Sequence, residues 1–170
     1  MVDAGVLGED EPLELLGGEL LVVSPQGPAH SEAATALRDL LLAAYRGASP
    51  AVMVREDKPL ATGANDLPEP DLAVVVGQRG AFAQRHPRGD EAVLVIEIAR
   101  TSLALDREKA AVYAAGGVAA YWLVDMQARS IEVYTDPQKD GHYASKRVLA
   151  EDEGVAVPGG DASIRARDFL

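Results

Sequence analysis

The chain has 170 residues, 48% of them hydrophobic, and no cysteine. That length can bury a full core without staples, and the missing cysteine excludes a disulfide framework, a thiolate zinc site and a cysteine nucleophile. The 16 basic and 27 acidic residues leave a formal charge of −11, which works against nonspecific attraction to a phosphate backbone.

The start, MVDAGVLGEDEPLELLGG, has acids and glycines where a signal peptide needs a basic end and an apolar core, and no later run approaches membrane-spanning length. This predicts a cytoplasmic protein without membrane contact, folded as one domain over residues 1–170. GGELLVVSP reads as a first strand ending near Ser24. A Pro/Gly turn follows, and AHSEAATALRDLLLAAY reads as a helix, with Ala33, Leu37, Leu40, Leu41 and Ala44 at helical spacing. AVMVRED is a strand, and LATGANDLPEP is a loop that delivers Asp71 to the apolar run LAVVV. After a second long loop, GQRGAFAQRHPRGD, the run AVLVIEIA is apolar at nearly every position. It therefore reads as a central strand buried on both faces. Thr101 or Ser102 is placed to cap a helix over residues 105–115. YWLVD and SIEVYT form a hairpin through MQAR, HYASKRVL a short strand, EDEGVAVPGG acidic turns, and the tail from Ala162 a final helix or strand.

Two carboxylates sit against the most apolar strands, Asp71 in PEPDLAVVV and Glu97 in EAVLVIEIARTS. A carboxylate among Val, Leu and Ile loses hydration worth several kcal/mol unless a cation or strong donors replace the water. A divalent metal answers that need: Mg²⁺ or Mn²⁺ takes oxygen ligands, and Asp71, Glu97 and the backbone carbonyl of Ile98 would suffice. Lys109 is the ammonium best placed to assist a phosphodiester hydrolysis. Strand alternation puts Glu97 on the face of Val93 and Val95, and Asp106, Lys109, Ala110 and Tyr113 share one helical stripe. If that stripe packs on the sheet, Lys109 reaches Glu97. Taken singly, each residue has a structural explanation: Asp71 as a turn residue after Pro70, Glu97 as half of an ion pair, Lys109 as a solvated helix residue. The combination points to a site.

The order of GELLVVSP, GPAHSEAATALRDLL, PEPDLAVV, LVIEIARTS, DREKAAVYAAGGVAAYWLVD and IEVY resembles the Uma-two family of the PD-(D/E)XK restriction-endonuclease-like superfamily. Its most specific parts are E-x-x-x-(S/T)-S at residues 97–102, D-x-x-K at 106–109 and the GVAAYWLVD block at 117–125. The resemblance implies a mixed α/β fold, a restriction-endonuclease-like sheet flanked by helices. It also implies Asp71 and Glu97 as metal ligands and divalent-metal-dependent cleavage of nucleic acid. The superfamily pattern puts a lysine two residues after the second acid; this chain has Ala99 there, and the resemblance assigns the charge to Lys109.

His30 and Glu32, at the start of the first helix, are candidate peripheral site residues, as is Asp106. The resemblance places a histidine at position 30, although helix capping explains both helix-start residues too. Arg79, Arg85, Arg88, Arg100 and Arg107 are candidates to rim the site. His86 and His142 lack partners at zinc-ligand spacing, and Ser24 and Ser102 fit no hydrolase motif. Three functional readings compete. The first is a metal-dependent endonuclease, the second a nuclease-like binding or assembly module without turnover, and the third a glycosidase using Asp71 and Glu97 as its acid/base pair, for which Lys109 is unneeded and aromatics are scarce. A homodimer is a common solution for cutting two strands.

Overall fold

The computed structural model describes residues 11–23 and 25–170. Six strands form the central sheet: β3 (Val52–Glu56), β4 (Leu72–Val76), β5 (Ala92–Ala99), β6 (Ala120–Asp125), β7 (Ser130–Gln138) and β8 (His142–Leu149), adjacent in that order. Every neighbouring pair is antiparallel except β5 and β6. That parallel pair is joined through the helix α2 (Leu103–Ala115), because a parallel connection needs a crossover and not a tight turn. The mixed α/β architecture and the central, doubly buried strand expected from AVLVIEIA are both present.

The sheet separates two apolar layers. On one face Leu72, Val74, Leu94, Ile96, Ile98, Trp122, Val124 and Ile131 pack with Ala33, Leu37 and Leu41 of the helix α1 (Pro28–Ala44). On the other, Ala73, Val75, Val95, Ala99, Tyr121, Leu123 and Tyr134 pack with Ala110 and Tyr113 of α2. These sets follow the period of two along each strand, with one exception. Val74 pairs with Leu94 but Val75 pairs with Ala92, so Val93 is an extra residue at a bulge. Alternation resets there, and Val93 packs with the α1 layer. It does not share the face of Glu97 and Val95, as simple alternation predicted.

The N-terminal strand is not a member of this sheet. A separate hairpin pairs β1 (Leu13–Leu16) with β2 (Glu19–Val22), turning at Gly17 and Gly18 with φ of 60° and 81°. Two consecutive positive φ angles are what a two-residue hairpin turn demands and what glycine supplies. The expected strand end at Ser24 lies outside the described residues. The helix α2 begins at Leu103, two residues before the expected start. Ser102 is its N-cap by position but makes no side-chain cap bond; its hydroxyl donates to Asp106 instead, at 2.5 Å. Toward the C-terminus β9 (Val155–Ala156) pairs with β10 (Ser163–Ile164), and a short 3₁₀ turn over Ala166–Asp168 ends the fold.

Candidate functional site

Glu97 sits on the most enclosed strand and is only 4% exposed. Its Oε1 accepts two hydrogen bonds from α2, from the Tyr113 hydroxyl at 2.6 Å and from Lys109 Nζ at 3.1 Å. The stripe of Asp106, Lys109, Ala110 and Tyr113 is buried against the sheet, and this is what brings the lysine within reach. Lys109 Nζ lies closer still, 2.8 Å, to Glu14 Oε2 on β1, and 3.9 Å from Asp106 Oδ1. One buried ammonium is thus shared by three buried acids. Burial pushes Glu97 well above the ordinary carboxylate range, with the charge of Lys109 opposing and those of Asp71 and Asp106 adding to the rise. Burial would lower Lys109, but Glu97 and Glu14 outweigh it and hold the lysine above its usual value. Asp106 is raised, again by burial first.

Asp71 immediately precedes β4, and its side chain reaches across to the end of β5. Its Oδ2 accepts the Ile98 N–H at 2.6 Å and lies 3.1 Å from His30 Nε2. Its Oδ1 accepts from Gln26 Nε2 at 2.9 Å, and the same amide nitrogen is 3.0 Å from Asp57 Oδ1. The Asp71 N–H donates to Glu97 Oε2 at 3.4 Å. The two oxygens of Glu97 therefore differ: Oε1 belongs to α2, and Oε2 faces Asp71. Burial lowers the His30 pKa, but the hydrogen bond and charge of Asp71, with Asp57 and the Ile98 backbone, raise it overall. These groups open into a cavity of about 930 Å³ whose lining includes Glu14, Asp57, Glu69, Asp71, Glu97 and Asp106, against the cations Arg100 and Lys109.

A family model described as "Putative restriction endonuclease", Uma2, matches residues 4–162. The chain belongs to the Uma2 family. Among solved structures, the fold resembles one titled as a putative nuclease belonging to DUF820 from Anabaena variabilis. The two are 19% identical, with a TM-score of 0.78 over 96% of this chain and 92% of that one. At that identity the likeness speaks for the fold. No curated protein matches.

Within this Uma2 fold, Asp71, Glu97, Ile98, Lys109, Asp106 and His30 all line the one cavity. Glu32 does not: it is exposed and outside the lining. Two residues along a helix turn the side chain by about 200°, so Glu32 points away when His30 points in. Of the five arginines expected to rim the site, only Arg100 lines it. Arg85 and Arg88 pair with Glu91 and Asp90 in their own loop, Arg107 binds Glu132, and Arg79 is exposed. Three residues absent from the sequence reading of the site make polar contacts in it, Glu14, Gln26 and Asp57, and Tyr113, expected only on the stripe that packs on the sheet, adds its hydroxyl. For Glu14 a signal existed, since LELLGGELL is two apolar runs about a Gly-Gly pair, the pattern of a tight hairpin. Among the described residues, no three His, Asp or Glu side chains are grouped as a ready-made metal cage.

Proposed function

We infer that this Uma2 protein is a divalent-metal-dependent endonuclease that hydrolyses phosphodiester bonds of nucleic acid, using Asp71, Glu97 and Lys109. The observation that carries the reading is the acidity of the cavity: among the described residues, six acidic side chains line it against Arg100, Lys109 and His30. An anionic phosphodiester would be repelled from such a wall at close range. A divalent cation held by Asp71 and Glu97 would remove the repulsion and relieve the buried carboxylate.

The donor set fits Mg²⁺ or Mn²⁺. Asp71, Glu97 and the Ile98 carbonyl offer hard oxygens without sulfur or a histidine cluster, and such ions need few protein ligands because they keep several waters. When bound, the ion supplies charge neutralisation and a more acidic water. The protein supplies orientation. The Ile98 N–H and His30 hold Asp71 Oδ2, and Gln26 holds Oδ1. Lys109 keeps its proton beside the reacting region and offsets negative charge there.

A second reading, a nuclease-like binding or assembly module without turnover, draws on two observations. Ala99 stands where the superfamily pattern has a lysine, and Lys109 is engaged by Glu14 and Glu97. Cleavage of single- and double-stranded DNA and RNA with Mn²⁺ separates the two readings. Asp71→Ala and Glu97→Ala are expected to lower metal-dependent cleavage by about 100-fold or more, with circular dichroism unchanged. Activity persisting in the double variant refutes the mechanism, and Mn²⁺ binding without cleavage of any of the four substrates favours the module.

A further inference from the structure

Glu97 presents its two oxygens unequally. Oε1 takes both strong donors, Tyr113 at 2.6 Å and Lys109 at 3.1 Å, whereas among the described residues Oε2 meets only the Asp71 N–H, at 3.4 Å. Neither donor is free to swing away. Tyr113 is 0% exposed, and its ring packs on Tyr121 with centroids 5.0 Å apart, Tyr121 in turn on Tyr134 at 5.4 Å. Lys109 is tied to Glu14 at 2.8 Å. A carboxylate pinned through one oxygen can offer only the other to a cation on the Asp71 side. That presentation suits Mg²⁺ and Mn²⁺, which bind six ligands at short, regular distances. It disfavours Ca²⁺, which takes up to eight and often uses a carboxylate through both oxygens.

We propose that Tyr113 is a positioning residue that holds Glu97 to one-oxygen presentation and so sets the preference of the site for small six-coordinate divalent cations over Ca²⁺. The inference rests on the reading of Asp71 and Glu97 as cation ligands and deepens it by assigning ion selectivity to a residue outside the ligand set. Removing the hydroxyl frees one of the two bonds on Oε1 and lets the carboxylate rotate toward two-oxygen contact.

The test is calorimetric titration of the full chain with MnCl₂, MgCl₂ and CaCl₂, for the wild type, Tyr113→Phe and Tyr121→Phe. In Tyr113→Phe the ratio of Mn²⁺ to Ca²⁺ affinity is expected to fall by about tenfold, the low end of the effect of residues that orient metal ligands. Tyr121→Phe alters the same aromatic row but only a bond to the Asp106 carbonyl, and its ratio is expected to match the wild type. An unchanged ratio in folded Tyr113→Phe overturns the proposal. A wild type that binds none of the three ions overturns the cation reading and this inference together. Should Tyr113→Phe not fold, infrared difference spectra of the wild type decide, taking the carboxylate bands lost in Glu97→Gln. One-oxygen splitting with both Mn²⁺ and Ca²⁺ supports the proposal, and a two-oxygen pattern with Ca²⁺ overturns it.

Discussion

Two buried glutamates in neighbouring regions of the sheet have opposite fates, and their donors explain the difference. Glu97 and Glu132 are each 4% exposed. Glu97 shares one ammonium with two other acids and is pushed up. At Glu132 burial also pushes upward, but hydrogen bonds from Arg107, Tyr134 and Lys146 overcome it and hold the carboxyl at about 2. A carboxyl whose folded pKa is depressed stabilises the fold above its unfolded value, near 4.3, and loses that contribution as pH falls through about 2. Glu132→Gln should therefore cost about 2 kcal/mol near neutral pH, a figure discounted because Arg107 and Lys146 are half exposed. Urea titrations of variant and wild type should converge between pH 4 and 2. An equal gap at both ends of that range would rule out the linkage. The immediate neighbours IEIA and IEVY look alike, and the opposite shifts follow from which cations the packing of α2 and β8 brings near.

At the scale of elements, the site is the meeting of two anchored parts and one lighter one. The strand β5 is held by both apolar layers and the helix α2 by the layer it covers. The hairpin of β1 and β2 stands apart from the sheet and is tethered by a few polar contacts: Gly17 N–H to Asp66, Gly18 N–H to the Asn65 carbonyl, the bridge between Leu15 and Leu67, and the Glu14–Lys109 ion pair. Of these only the ion pair is buried on both sides, so removing one of its partners, which leaves the other charge buried, should loosen the hairpin most. Glu14→Gln is expected to raise hydrogen-exchange rates of the β1 and β2 amides by about tenfold while those of β5 stay unchanged. Equal acceleration across β5 would mean that Glu14 supports the whole fold and not the hairpin. Much at this scale was legible in the residues. The doubly apolar run of β5 and the Asp106–Tyr113 stripe were readable because burial on two faces, or on one helical face, leaves a period in the chain. The bulge at Val93 was not, since an inserted residue in an all-apolar strand changes no residue type. The hairpin was missed because its acids disguised a short amphipathic pair as a polar lead-in.

For the whole molecule, the charge of −11 and the acidic cavity set how a nucleic acid can approach. With few cations to displace counterions from the phosphates, affinity should depend weakly on monovalent salt and strongly on the divalent ion. The slope of log affinity against log salt is expected to be shallower than about −3, with binding weak in EDTA. Fluorescence anisotropy with labelled DNA and RNA oligonucleotides checks both. Tight, steeply salt-dependent binding in EDTA would point to a basic groove that the acidic lining does not provide. Among the described residues no helix is long and apolar enough to cross a membrane.

By itself the amino-acid order determined the two helices, the central strand, the family, and Glu97 as a carboxylate whose burial demands a counter-charge. These are properties of local periodicity and of residue type against apolar neighbours, both written along the chain. Only the tertiary structure decided that Lys109 is shared with Glu14, that Glu32 turns away while His30 turns in, that four of five arginines lie outside the cavity lining, and that Glu97 keeps one oxygen for Tyr113 and another for Asp71. The contacts of Glu97 and Lys109 depend on distances of a few ångströms between residues 12 to 95 positions apart in the chain, and electrostatics and hydrogen bonding at that range follow packing, not sequence spacing.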